Sequence, residues 1–192
     1  MIHRTSSIVH HQSSIPSIFH SQLSIPLHSV RLNLRELTLE DAPFILELVN
    51  TPNWLAGIGD RGVQNLFAAK TYIQNGPMRS YSEHGYGLWR VELREDRTPI
   101  GICGLVRRAG LTGPDIGFAF LPSHEGQGYA FEAAMATLQY ADQVLQLPPV
   151  LAVVAPTNLR SIKLLERIGM TFKESIVLPG DTEELMLFGS AT

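Results

Sequence analysis

One stretch limits the architecture more than any other. Ile116-Gly117-Phe118-Ala119-Phe120-Leu121 is followed by Pro122, then by Ser123-His124-Glu125-Gly126-Gln127-Gly128-Tyr129-Ala130 and Phe131-Glu132-Ala133-Ala134. The first run is apolar and suited to a strand, and Pro122 ends it. After the glycines, Ala130, Ala133, Ala134, Leu138, Ala141 and Leu145 recur at spacings of three or four, the period of a helix with one buried face. A strand therefore runs into two glycines, and the glycines open a helix. Such a junction leaves several backbone N–H groups unpaired at the helix N-terminus, where the helix dipole favours an anion. Gly126 and Gly128 have no Cβ, so a diphosphate can approach the backbone closely. The stretch reads as a phosphate-binding turn.

What surrounds the turn sets the fold class. Arg31-Leu32-Asn33-Leu34-Arg35 alternates as a half-buried strand does. Thr38 with Asp41 three residues on forms a capping-box pattern, and a helix through Phe44, Ile45, Leu48 and Val49 stops at Asn50-Thr51-Pro52. Asn53 to Gly62 reads as a loop, and Val63 to Asn75 as a second helix ended by Gly76-Pro77. Strands follow at 86–93, 100–106 and 115–121, linked by turns at 95–98 and 110–114. The continuous apolar Val150-Leu151-Ala152-Val153-Val154 is a strand of the type buried on both faces. Pro156-Thr157-Asn158 then caps a helix carrying Ile162, Leu164, Leu165 and Ile168, with Gly169 as its stop, and strands at 172–178 and 184–188 close the chain. The order predicts an α+β domain: a mixed, mostly antiparallel central sheet flanked by helices, with one parallel crossover around residues 115–154.

The same order excludes two nucleotide folds. A dinucleotide fingerprint needs a small residue where Phe131 stands and βαβ units where this chain has hairpins. A Walker loop needs Gly-Lys-Ser or Gly-Lys-Thr, which is missing from the sequence. A net charge of −3 offers no field for nucleic acid or an anionic membrane, and the basic residues at 107–108 and at 94 and 97 are separated by acids. No apolar run is long enough to span a bilayer. The lone Cys103 excludes an internal disulfide and a cysteine-based zinc site, and fits a reducing, cytoplasmic setting. Residues 1–29 differ from the rest. They hold His3, His10, His11, His20 and His28 and many serines but no acidic residue, so they read as a flexible N-terminal extension rather than a metal site. The domain is expected over residues 30–192, with no metal.

Four segments resemble the GCN5-related N-acetyltransferases, in particular the RimJ and RimL type that acetylates ribosomal-protein N-termini. They are Arg31 to Ala42, Ile100-Gly101-Ile102-Cys103-Gly104-Leu105, Asp115 to Ala133, and Asn158 to Met170. The resemblance implies the acyl-CoA N-acyltransferase fold and acetyl-CoA as co-substrate. Carried over residue by residue, the family's pyrophosphate motif falls on Gly126, Gln127, Gly128, Tyr129, Ala130 and Phe131. Phe118, Ala119 and Phe120 fall where the family pairs its backbone with the pantetheine arm, and Asn158 on the cofactor-side Asn of the late helix. One departure stands out: the motif opens on Glu125 instead of Arg or Gln.

In this family a substrate amine attacks the thioester directly, which requires a base for the ammonium and a donor for the leaving thiolate. The Tyr that many members use as donor is replaced by Leu165. The resemblance then implies Ser161 as donor, and as a further cofactor contact; a capping or packing role is the alternative. Asp115 matches the acid before the Ile-Gly-aromatic run and is the candidate base, or else a turn residue after Gly113-Pro114. Glu83, His84 and His124 are further titratable candidates, and Cys103 is a buried thiol or a covalent relay; Trp54 and the Gly57–Gly59 loop fall where the family shapes its acceptor pocket, with a core role the alternative for Trp54. The expected activity is transfer of an acetyl group to a primary amine of a protein N-terminus or small molecule, by a monomer or homodimer without nucleic-acid or membrane partners. A non-catalytic acyl-CoA-binding module of the same fold is the second reading.

Overall fold

The computed structural model describes residues 26–190, and its chain enters the sheet at an edge. β1 (Pro26–His28) pairs antiparallel with β2 (Leu32–Glu36), and β3 (Leu88–Leu93), β4 (Pro99–Val106) and β5 (Asp115–Phe120) continue the meander. β6 (Leu151–Val154) lies parallel to β5. The last two strands, β7 (Met170–Ile176) and β8 (Leu185–Ser190), form a hairpin whose second member pairs with β6. The result is one eight-stranded sheet in the order β1-β2-β3-β4-β5-β6-β8-β7. This is the mixed, mostly antiparallel α+β architecture expected from the sequence.

Helices cover both faces. α1 (Ala42–Val49), α2 (Pro52–Gly57), α3 (Leu66–Ile73) and α4 (Arg79–His84) lie between β2 and β3 in the chain. Leu37, Ile45, Leu48, Trp54, Ala69 and Ile73 form a core on their side of the sheet, with Ile102 and Leu121. On the other side, α5 (Tyr129–Gln143) and α6 (Leu159–Arg167) place Ala133, Ala134, Ala141 and Leu165 against Leu34, Trp89, Val91 and Ile100. Trp89 and Tyr140 meet edge to face at 5.7 Å.

Several boundaries differ from expectation, each for a physical reason. Within the described residues the sheet includes Leu27 and His28, expected from sequence in the extension, because they pair with Leu34 and Asn33. Of the proposed extension, residues 1–25 lie outside the described residues, as do His3, His10, His11 and His20. Asn53 to Gly57, expected as loop, is helical: Thr51 accepts a hydrogen bond from the Trp54 N–H, and Pro52 takes the first helical position. Gly76-Pro77 does not end the second helix. A π turn over Gln74–Met78 accommodates the proline and leads into α4. The Tyr81 hydroxyl of α4 donates to the Leu88 carbonyl and accepts the Leu37 N–H at 3.0 Å, tying the helical layer to β2 and β3.

Candidate functional site

β5 is a central strand, yet its middle is open to solvent. Its β4 edge is paired from Asp115 to Phe120, while its β6 edge has a single aligned pair, Asp115 with Leu151, supported by the Leu151 N–H to Pro114 carbonyl bond at 2.9 Å. Beyond that pair the strands diverge, and residues 117–119 are half-exposed in the middle of the sheet. The wedge leaves the backbone groups along one edge of β5 free to pair with an extended chain. Phe118 leans on the α5 side and Ala119 on the α1–α3 side. Phe120 is buried in the core, so only its backbone is available to a ligand.

The free edge leads to the glycine turn. Gly126 (φ 73°) and Gly128 (φ 83°) are both left-handed, and Gly128 occupies the cap position of α5 without any capping side chain. Among the described residues, no carbonyl or side chain accepts from the N–H groups of Gly126 to Phe131. A Cβ at Gly126 would meet nothing within 4 Å, so the ground above the turn is open. Converging amides, an open approach and a helix dipole fit a diphosphate.

Arg31, read from sequence only as part of a strand, also reaches this turn. Its guanidinium donates to the Gln127 carbonyl (3.1 Å) and to Glu132 Oε2 (2.7 Å) and lies 4.5 Å from the centre of the Tyr129 ring. Glu132 also accepts the Arg31 N–H and the Ser29 hydroxyl, each at 2.7 Å. Partial burial acts to raise its pKa, but these bonds hold it below the ordinary carboxylate value.

α6 starts on the far lip of the wedge, after β6. Asn158 caps it, accepting the Ser161 N–H at 3.1 Å, as its sequence position predicted. Ser161 is half-buried. Asp115 lies at the closed end of the wedge. It is 1% exposed, and its Oδ2 accepts Arg108 Nε at 2.8 Å, while its Oδ1 has no partner. Burial pushes its pKa up, against the pull of Arg108. Among the described residues no hydrogen bond joins Asp115 to Ser161: the first is held by Arg108 and the second by the Asn158 cap.

The family described as Acetyltransferase (GNAT) domain matches residues 31–171. The chain belongs to the GNAT family. The GNAT chain is 37% identical over 99 residues to YkkB, an uncharacterized protein of Bacillus subtilis, a match covering 50% of this chain and 58% of that relative. Against an acetyltransferase structure from Agrobacterium tumefaciens the TM-score is 0.74 at 28% identity, covering 89% and 97% of the two chains. RimL, a ribosomal L7/L12 alpha-N-protein acetyltransferase solved with coenzyme A, shares the fold at a TM-score of 0.71 and 16% identity, with 84% and 94% covered.

The remaining candidates of this GNAT domain fall outside the wedge chemistry. Cys103 is fully buried beside Thr137 Oγ1 at 3.4 Å, and burial pushes its thiol up to about 12, which removes it as a covalent relay. His124 Nδ1 bonds Ser123 Oγ at 2.9 Å and its ring leans on Tyr129, so it shapes the entry to the turn. Glu83 is paired with Arg79 at 2.6 Å on the surface, and His84 stacks on Tyr86. Trp54 is core, 4% exposed, with its indole N–H unpartnered. The two glycines divide: Gly57 ends α2 against the Asn158 amide, whereas a Cβ at Gly59 would meet nothing within 4 Å. Among the described residues, no helix is long and apolar enough to cross a membrane.

Proposed function

We propose that this GNAT domain moves the acetyl group of acetyl-CoA directly to a primary amine, of a protein N-terminus or a small molecule. One observation carries the reading: a free strand edge at 116–120 runs straight into the unpaired amides of residues 126–131. Gly126 to Phe131 would hold the diphosphate. The backbone of Phe118, Ala119 and Phe120 would pair with the amide-bearing pantetheine arm, which directs the thioester down the wedge, away from the turn. Asn158 fixes the first turn of α6 beside the arm.

In this reading the amine enters from the α1–α4 side, towards Asp115. The unpartnered Oδ1 of a buried carboxylate is a strong receptor for an ammonium group. With its pKa raised by burial, Asp115 is the base that takes the ammonium proton, and Arg108 anchors its other oxygen. The amine then attacks the thioester carbonyl, the C–S bond breaks, the Ser161 hydroxyl gives its proton to the departing thiolate, and the second proton shed by the amide nitrogen returns to the Ser161 oxygen. RimL is an alpha-N-protein acetyltransferase and another protein of this fold a spermidine N-acetyltransferase, so both kinds of amine belong among the acceptors tested.

Thiol release from acetyl-CoA across a panel of peptide N-termini and polyamines is the test. Ser161→Ala and Asp115→Asn should each lower kcat by roughly 10²-fold. Asp115→Asn should also remove the rise of rate with pH, because a carboxylate base is active only when deprotonated. Wild-type rates in both variants would overturn the two assignments. Cofactor binding without turnover on any amine would favour the non-catalytic module instead.

A further inference from the structure

Glu125 breaks the family pattern at the first position of the turn, and a carboxylate there ought to repel a diphosphate. Its surroundings account for it. Glu125 Oε2 accepts Arg160 Nη1 at 2.6 Å, and Oε1 accepts Asn53 Nδ2 at 2.7 Å. The three residues come from three elements around the open end of the wedge. Glu125 ends the β5 lip, Arg160 lies in the first turn of α6 on the β6 lip, and Asn53 belongs to α2. α2 touches the second lip as well, since a Cβ on Gly57 would sit 3.2 Å from Asn158 Nδ2. An ion pair thus joins the lips where the strands are furthest apart, beside the amides of the turn.

The two partners differ in freedom. The Glu125 side chain is 29% exposed and held twice, whereas Arg160 is 81% exposed and spends one Nη on Glu125. A guanidinium carries five donors in a planar fork that suits phosphate oxygens. We infer that Arg160 is the cation that binds the diphosphate of the CoA substrate, and that Glu125 is its holder, so that the charge usually placed in the turn is supplied across the wedge. The inference rests on the proposed use of acetyl-CoA and assigns a role that the motif itself lacks here. In the free protein Glu125 occupies Arg160. When the diphosphate arrives, the guanidinium turns its unused donors to the phosphate oxygens, and Glu125 must share it. Glu125 is therefore both a support for Arg160 and a competitor of the ligand.

This double role gives a specific pattern in equilibrium binding, measured by calorimetry with CoA, and with dephospho-CoA, which keeps the diphosphate but lacks the 3′-phosphate. Arg160→Gln leaves Glu125 uncompensated and should weaken both ligands alike by roughly 10-fold or more. Glu125→Gln should bind CoA at least as tightly as wild type. The double variant should recover only the share of that loss due to the exposed Glu125 charge and stay weaker than Glu125→Gln, which keeps the cation. The inference is overturned if Arg160→Gln binds like wild type, if only CoA and not dephospho-CoA is weakened, or if the double variant binds as tightly as Glu125→Gln. Failure of the wild-type protein to bind CoA at all would instead remove the proposed co-substrate. Melting curves of the variants check that these surface changes leave the fold intact.

Discussion

Asp41 is a buried carboxylate, 3% exposed, that accepts Arg35 Nη2 and Arg90 Nη1 at 2.7 Å and the Thr38 N–H at 2.8 Å. The capping box read from Thr38 and Asp41 is therefore also the centre of a charge network, completed by Glu92, which lies 2.9 Å from Arg90. Burial acts to raise the pKa of Asp41, but the bonds from Arg35, Thr38 and Arg90 outweigh it and hold the group at about 2 against an ordinary value of 3.8. Because the folded value is depressed, the stabilisation is complete above about pH 4 and is lost as the pH falls towards 2, a contribution of about 2 kcal/mol. Asp41→Asn should cost about 3 kcal/mol at neutral pH and flatten the loss of stability between about pH 4 and 2. Urea unfolding followed across that range reads both effects. At this scale the sequence was informative where partners are local. Asn158 and Ser161 lie three apart, so the cap was legible. Arg31 reaching Glu132, and Arg160 reaching Glu125, are contacts between distant segments, and no pattern within either segment reports them.

Among the elements, β4 is the most tightly constrained. Its Gly104 faces Gly87, the residue just ahead of β3, and an added Cβ would lie 2.9 Å from Leu88 Cα and closer still to the Gly87 carbonyl. Both obstacles are backbone, which cannot rotate away as a side chain can. Gly104→Ala should destabilise by roughly 2–3 kcal/mol, while Gly126→Ala, strained only by its left-handed φ, should cost about 1 kcal/mol. Thermal melts of the two variants separate crowding from backbone strain, and equal losses would contradict the distinction. Glycines at 101 and 104 signalled this close approach in the sequence. The helical layer was harder to read. Thr51-Pro52 serves both as the end of α1 and as the start of α2, and a pattern that stops one helix hides the next. Gly76-Pro77 carries every sign of a break, yet packing of Ile73 and Pro77 keeps the chain helical through a widened turn. The strands from β3 to β6 and helices α5 and α6 were legible because their apolar period is long and unbroken.

For the molecule as a whole, the seam between β5 and β6 joins a meander of five strands to a group of three, β6, β8 and β7. The two parts share α5 and α6 packing on one face, but their direct backbone connection is confined to the Asp115–Leu151 end. A ligand lodged in the seam should therefore stabilise the global fold rather than one loop. Excess CoA at about 100 times its dissociation constant contributes about 2.7 kcal/mol. For a chain of this size that is a rise in melting temperature of roughly 5–10 °C. Hydrogen exchange should slow at 116–120 and 126–131 together. Protection of the turn without the strand would show that the seam does not hold the arm.

The half-exposed middle of β5 also bears on solubility. An unpaired strand edge is ordinarily a hazard, because it offers a template to any passing chain. Here the open edge lies inside the sheet, with β6 and β8 beyond it and α2 and the Glu125–Arg160 pair at its wide end. A slender, flexible molecule can thread such a slit, while another protein's sheet edge would have to displace three strands to reach it. Opening the sheet at its centre instead of its rim lets the chain keep adhesive backbone exposed for binding without offering it to its own copies.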